Sequence, residues 1–125
     1  MKKVLLILAE GFEEIEAIAP ADVLKRLGYK VTIAGLASEI VKGSHDMFVK
    51  ADTLLSAVNV EDFDALFLPG GGLGSQNLRA SDAVMDVIHK MDAKKGIISA
   101  ICAAPTALGR AGVINGKKVT AYPGH

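Results

Sequence analysis

The alternation of apolar, strand-length runs with helical patterns is the feature that most constrains the fold of this chain. Lys3–Leu8 is an uninterrupted β-rich run, as expected of a strand that is covered on both faces. Residues 14–27 then place apolar side chains near one helical face, and Gly28 follows as the predicted C-cap. Repetition of this unit predicts a mainly parallel, doubly wound sheet in one α/β domain spanning residues 1–125.

The other predicted elements continue this alternation, apart from a hairpin. Residues 41–52 form two short extended pieces around Gly43-Ser44-His45-Asp46, which indicates a hairpin outside the main alternation. Further strands are predicted over 29–34, 65–68, 96–101 and 118–122, with helices over 54–58, 81–91 (Ser81 as N-cap) and 104–110. No helix follows the last strand to cover it, although a parallel sheet needs both faces covered. We therefore expect a C-terminal part that is missing, cleaved off after His125 or supplied by a second chain.

Composition excludes several classes of function. The formal net charge is zero and the acids and bases are interspersed, so the basic stripe that nucleic acid requires is not expected. No apolar run approaches the length of a membrane span. A single cysteine rules out an intrachain disulfide and a C-x-x-C clamp, and three scattered histidines do not suggest a metal site. We expect a cytoplasmic protein without a metal or cofactor.

Cys102 is the first candidate for chemistry. It follows one predicted strand and is separated from the next helix by only two alanines, which is the arrangement of a nucleophile elbow. The helix N-terminus that follows would favour the thiolate form. Free cysteine is also among the most buried residue types. Position alone therefore leaves a presented thiol and a core cysteine both open.

Two other stretches would lie at the same edge of the sheet. The run Pro69-Gly70-Gly71-Gly72 ends a strand, and glycines there let backbone N–H groups approach an anion, although a plain tight turn is the simpler alternative. Glu16 has apolar or small neighbours on both sides. Burial and a nearby thiolate would keep such a carboxyl group protonated, so that it could donate to the sulfur; an ordinary solvated helix acid is the alternative.

These stretches carry a resemblance to a known family. The segments VLLILAEGFEEIEAIAPADVLKRLGYKVTIAGL, DALFLPGGGLGSQNL and GIISAICAAPTALGRAGVINGKKVTAYPG resemble the ThiJ/PfpI family, and within it the parkinsonism-associated deglycase branch. The resemblance implies a flavodoxin-like sandwich and a homodimer, with the first helix and the hairpin near the dimer interface. Family members run some tens of residues longer, so this chain would be the larger, N-terminal part, with its own C-terminal fragment as a possible separate partner.

The resemblance also assigns roles to residues. Cys102 would be the functional cysteine and Glu16 its protonated partner, while the N–H groups of Gly71 and Ala103 would form an anion pocket with the Gly70 loop. His45 stands where the family often places a basic residue reached from the partner subunit.

Two positions depart from family patterns. Tyr122 stands where a histidine is common, so a strict Cys–His mechanism is not supported. His125 is nearby but is expected to be exposed. Ala103 stands where the protease-like branch has a histidine, which argues against peptidase activity.

Three functions remain open at this stage. In the first, the Cys102 thiolate adds to a small aldehyde such as methylglyoxal, and Glu16 shuttles protons to give lactate or to release a glycated amine. In the second, the protein is a redox sensor or chaperone in which Cys102 oxidises to a sulfinate without turnover. The third, a glutamine-amidotransferase-like domain, would require a downstream His and Glu, and the chain ends first. Sequence does not separate the first two functions, because they use the same residues.

Overall fold

The computed structural model describes residues 2–118 and 120–124. Within this part of the chain the elements follow one another in the order β1 Lys3–Leu8, α1 Glu14–Arg26, β2 Lys30–Gly35, β3 Ile40–Lys42, β4 Phe48–Lys50, β5 Thr53–Leu54, β6 Ala65–Leu68, α2 Gly72–Ala80, α3 Asp82–Ala93, β7 Ile97–Ala100 and α4 Pro105–Ala111. Two single 3-10 turns, Leu55–Ala57 and Val60–Asp62, lie between β5 and β6.

Five of the described strands form one parallel sheet in the order β5-β2-β1-β6-β7. The chain leaves β1 toward β2 on one side and later returns to add β6 on the other. This reversal places the point where ligands bind in such sheets at the carboxyl ends of β1 and β6. The predicted hairpin is present as the antiparallel pair β3–β4, which forms a separate small sheet.

Strand β1 is buried because it is the middle strand and both of its faces are covered. Leu5 and Ile7 belong to the apolar cluster that packs beneath α3 and α4. Leu6 and Leu8 point the other way, into a second cluster with Phe12 and the α1 side chains. Burying a leucine or isoleucine side chain contributes about 1.5–3 kcal/mol each, so the two-sided apolar run fixes the centre of the fold.

The mainly parallel α/β fold is confirmed, and two local predictions are corrected. The helix predicted over 54–58 is the end of strand β5 followed by one 3-10 turn. The strand predicted over 118–122 is not formed by its described residues, and Val119 lies outside them. A main-chain hydrogen bond from Tyr122 N to Cys102 O, 2.7 Å long, connects this segment to the backbone of Cys102. Helix α2 is an element that the sequence pattern does not predict, because Gly72 and Gly74 lie in its first turn.

One face of the sheet is uncovered near β7 in the described part of the chain. Ile97 is 56% exposed, and a groove of about 550 Å³ runs between α1 and β6–β7. Its lining is mostly apolar and includes Val23, Leu27 and Phe67. No helix within the described residues is long and apolar enough to cross a membrane.

Candidate active site

Cys102 lies at a sharp bend between β7 and α4. Its φ angle is +62°, in the left-handed region that residues with a Cβ rarely adopt. Ala104 N donates to Ile101 O at 3.0 Å, and Tyr122 N donates to Cys102 O at 2.7 Å. The side chain of Cys102 is half-buried. A strained strand-to-helix turn of this kind presents a side chain at the carboxyl edge of a sheet, so Cys102 belongs to a cleft wall and not to the apolar core.

The Glu16 carboxyl group lies against the same bend. Its Oε1 accepts a hydrogen bond from Gly70 N at 3.0 Å. A Cβ added at Gly70 would clash with Glu16 Oε1 and would lie 2.7 Å from Cys102 Cβ. Glycine at position 70 is therefore the spacer that allows the carboxyl group and the thiol-bearing backbone to approach each other.

Two backbone N–H groups beside Cys102 have no protein acceptor among the described residues. They belong to Gly71 and Ala103. Gly71 has a φ angle of +102°, and a Cβ there would clash with Gly11 O and lie 2.7 Å from Glu13 N. Because unpaired backbone donors are rare unless water or a ligand satisfies them, these two N–H groups are suited to an anionic oxygen.

A pocket of about 230 Å³ joins these groups. Five of its lining residues are candidates from the sequence: Glu16, Gly71, Cys102, Ala103 and Tyr122. Glu13 and Gly72 complete the lining. Gly70 contributes through its hydrogen bond to Glu16. The roles assigned to these residues from the sequence stay predictions, but their positions in one pocket are compatible with those roles. His125 lies outside the described residues.

His45 does not line this pocket and sits behind it. Its Nδ1 is 3.1 Å from Glu14 Oε1 and 3.6 Å from Glu13 Oε2, within the same chain. Glu13 lines the Cys102 pocket, so it lies between the imidazole of His45 and the space around the thiol. Within one chain His45 contacts the pocket wall through Glu13, and the role expected for His45 from a partner subunit stays a prediction.

Glu14 fastens the β3–β4 hairpin to the start of α1. Its buried carboxylate accepts hydrogen bonds from His45 N at 2.8 Å, Met47 N at 3.3 Å and Ser44 Oγ at 3.2 Å. Burial alone would raise the pKa of Glu14. Hydrogen bonds from the backbone N–H groups of Glu14, His45 and Met47, and from the His45 ring, outweigh burial and lower this pKa from 4.5 to about 2.

The same contacts act on His45 in the opposite direction. The hydrogen bond to Glu14 raises the pKa of His45 above 6.5, and the negative charges of Glu13, Glu14 and Asp46 add to the effect, although partial burial opposes it. The ligand atoms of Glu13, Glu14 and His45 lie within 4.8 Å of one another and could hold a cation. The oxygens of Glu14 are, however, already satisfied by protein donors.

Sequence reasoning missed Glu13 and Glu14 as functional residues. By sequence alone both are ordinary first-turn acids, which a helix dipole favours there. Glu13 does serve as the N-cap of α1. Glu14 differs from an ordinary first-turn acid because its carboxylate binds a loop roughly 30 residues away in sequence. No local sequence pattern indicates that contact.

Comparison with known proteins places the chain in a family. Residues 2–125 match the sequence profile of the DJ-1/PfpI family. The chain belongs to the DJ-1/PfpI family. Over 98% of its length it is 48% identical to the protein named dj-1beta of Drosophila melanogaster, covering 66% of that protein. A Pyrococcus horikoshii protein named a deglycase is 38% identical over 98% of this chain and 73% of its own length. The fold superposes on oxidized DJ-1 of Toxoplasma gondii with a TM-score of 0.94 and 40% identity, covering 98% of this chain and 68% of the other.

These similarities confirm the resemblance found in the sequence and the flavodoxin-like fold. The chain spans just under two thirds of the length of the fly relative.

Proposed function

We propose that the Cys102 pocket is a thiol-based active site that removes reactive aldehydes such as methylglyoxal, as part of a DJ-1-like stress-protective role. The observation that carries this proposal is the approach of Cys102 and Glu16 across Gly70, beside the unpaired N–H groups of Gly71 and Ala103. A nucleophile, an acid and an oxyanion site are the parts that carbonyl addition requires. The similarity to a protein named a deglycase supports the same reaction class.

In this mechanism the Cys102 sulfur attacks the aldehyde carbon and forms a hemithioacetal. The C–S bond forms as the carbonyl π electrons move to oxygen, and the N–H groups of Gly71 and Ala103 donate to that oxygen. Glu16 then supplies or removes a proton at the neighbouring atoms. Isomerisation followed by attack of water on the resulting thioester gives lactate. Release of an amine from a glycated adduct would use the same intermediate.

Methylglyoxal consumption by the wild-type chain, Cys102→Ser and Glu16→Gln tests this proposal. Cys102→Ser is expected to fall to the buffer rate, because the nucleophile is lost. Glu16→Gln is expected to fall about a hundredfold or more, as for loss of a general acid–base group. Glu10→Gln is the matched control: this exposed acid precedes the same loop but does not line the pocket, and its rate should equal that of wild type. Equal rates in wild type and Cys102→Ser would refute the aldehyde reaction.

The same donors favour a second candidate function, in which Cys102 records oxidation. Two equivalents of peroxide would convert the thiolate first to sulfenate and then to sulfinate, each step transferring one oxygen to sulfur and releasing water or hydroxide. The N–H groups of Gly71 and Ala103 and the carboxyl group of Glu16 would hold the sulfinate oxygens. Mass spectrometry of peroxide-treated protein would then show two added oxygens on Cys102. This oxidation should stop at sulfenate or proceed to sulfonate in Glu16→Gln.

A further inference from the structure

The charge of the Cys102 pocket is carried by acids. Two glutamates, Glu13 and Glu16, line it, and no lysine or arginine does so among the described residues. Glu16 is engaged by Gly70 N and already has a part in the proposed reaction. Glu13 has no part in that reaction, so its place in the wall calls for a separate explanation.

Three contacts, one from the backbone and two from the side chain, hold Glu13 at the pocket wall. Glu13 N donates to Gly70 O at 2.9 Å, which ties its backbone to the glycine loop. Its Oε1 accepts from Ile15 N at 3.4 Å, and its Oε2 lies 3.6 Å from His45 Nδ1. The side chain remains 25% exposed. The carboxylate is therefore positioned by neighbours on two elements and still reaches the space that a reactant would enter.

His45 offsets only part of this negative charge. Its imidazole is shared between Glu13 and Glu14, and the shorter contact goes to Glu14. Asp46, on the same turn, pairs with Lys42 at 3.2 Å. With His45 protonated, the group of Glu13, Glu14 and His45 still carries one net negative charge, and Glu13 is the member of this group that lines the pocket.

We propose that Glu13 is a specificity-determining residue that makes the Cys102 pocket select cationic and neutral electrophiles over anionic ones. This inference rests on the proposed function. It implies that the pocket favours substrates whose carbonyl adduct carries an ammonium or guanidinium group over α-keto acids and other carboxylate-bearing aldehydes. The backbone donors of Gly71 and Ala103 bind the oxygen that becomes negative during addition, while Glu13 attracts positive charge elsewhere on the reactant. The two preferences are compatible because they act on different atoms.

Charged thiol reagents test this selectivity without requiring turnover. The second-order rates of Cys102 modification are measured with three methanethiosulfonates: the cationic trimethylammonioethyl, the anionic sulfonatoethyl and the neutral methyl reagent. Dividing each charged rate by the neutral rate cancels any change in thiolate population. Unit charges about 6 Å apart alter a rate by roughly threefold at the dielectric constant of bulk water and by roughly a hundredfold at the effective dielectric constant of a protein surface. Because the two charged reagents are affected in opposite directions, the cation-to-anion ratio should exceed one in wild type and fall about tenfold or more in Glu13→Gln.

Two variants and one solution condition make the outcome decisive. His45→Gln removes the partial offset, so the cation-to-anion ratio should rise, opposite to Glu13→Gln. Glu39→Gln removes an exposed acid outside the pocket and should leave the ratio unchanged. In wild type, raising NaCl to about 1 M shortens the screening length to about 3 Å and should bring the ratio toward one without any mutation. A ratio near one in low salt, or one unchanged in Glu13→Gln, would overturn the proposal whether or not methylglyoxal is consumed.

Discussion

The left-handed backbone conformation that presents the Cys102 side chain costs folding free energy. Adopting a φ angle near +60° destabilises a residue with a Cβ by roughly 1–2 kcal/mol, and Cys102 has a φ angle of +62°. Hydrogen bonds from Ala104 N to Ile101 O and from Tyr122 N to Cys102 O keep the bend in place. The elbow is thus strained locally and held by its surroundings, as is common for residues at functional sites.

Cys102→Gly should be more stable than Cys102→Ala. Both variants lack the thiol, but only alanine keeps the Cβ that disfavours this φ angle. After allowing for the greater freedom of glycine in the unfolded chain, we expect a difference of about 0.5–1 kcal/mol in the free energy of unfolding in urea. Ala103→Gly, at the neighbouring residue without a positive φ angle, serves as the control and should be destabilising. Higher stability for Cys102→Ala would contradict the strained elbow.

At the scale of elements, local sequence patterns predicted those strands and helices that do not depend on one particular distant contact. Any buried apolar run in this alternation becomes a strand, so β1 and β6 were predicted with their observed bounds, and Ser81 was correctly predicted as an N-cap. Helix α2 was missed because Gly71, Gly72 and Gly74 hide its periodicity. Gly71 and Gly74 instead permit close approach to the loop after β1. The sequence also identified five of the pocket residues. It could not reveal the link from Glu14 to the hairpin, because that link depends on how distant elements dock.

The docking of the hairpin onto α1 should depend on pH at its acidic end. The pKa of Glu14 is about 2 in the folded chain and 4.5 ordinarily, so its contribution to stability is complete above pH 4.5 and is lost as pH falls toward 2. The thermal midpoint of Glu14→Gln should lie several degrees below that of wild type near neutral pH. This gap should close between pH 4.5 and 2. Faster amide exchange at His45 and Met47 in Glu14→Gln would locate the effect in the hairpin.

At the basic end the sign is reversed. The pKa of His45 is raised above 6.5 by its hydrogen bond to Glu14 and the charge of Glu13. Its contribution is therefore complete below pH 6.5 and is lost as pH rises through the raised value. The gap in thermal midpoint between wild type and His45→Gln should shrink above pH 6.5, whereas the gap for Glu39→Gln should not. A gap independent of pH for either Glu14 or His45 variants would contradict the paired carboxylate and imidazole.

At the scale of the whole molecule, large apolar side chains are exposed at the start of α1 and on the β3–β4 hairpin. Ile15 is 74% exposed, and Met47 and Phe48 are exposed on the hairpin that Glu14 holds beside it. Exposed apolar patches mark interaction sites. A homodimer was implied by the family resemblance, with this same region near its interface. We therefore propose that these side chains pack against a second copy of the chain.

Sedimentation equilibrium tests this association. The wild-type chain should sediment as a dimer, and Ile15→Lys combined with Met47→Lys should shift it toward monomer, because each buried lysine would lose solvation at the interface. Leu73→Lys is the control: this residue is also exposed, but it lies on α2. Circular dichroism should show unchanged helix content in all variants. A wild-type monomer at high concentration would exclude this dimer.

The backbone angle at Cys102 also has an evolutionary consequence. In a lineage that no longer needs the thiol, selection no longer keeps cysteine at this position, but the bend still requires a positive φ angle there. Drift at this position would then favour glycine, asparagine or aspartate, the residues that tolerate a positive φ angle. Serine or alanine would mark proteins in which other contacts still enforce the bend. The residue that replaces this cysteine in degenerate copies therefore records whether the elbow or only its chemistry has been abandoned.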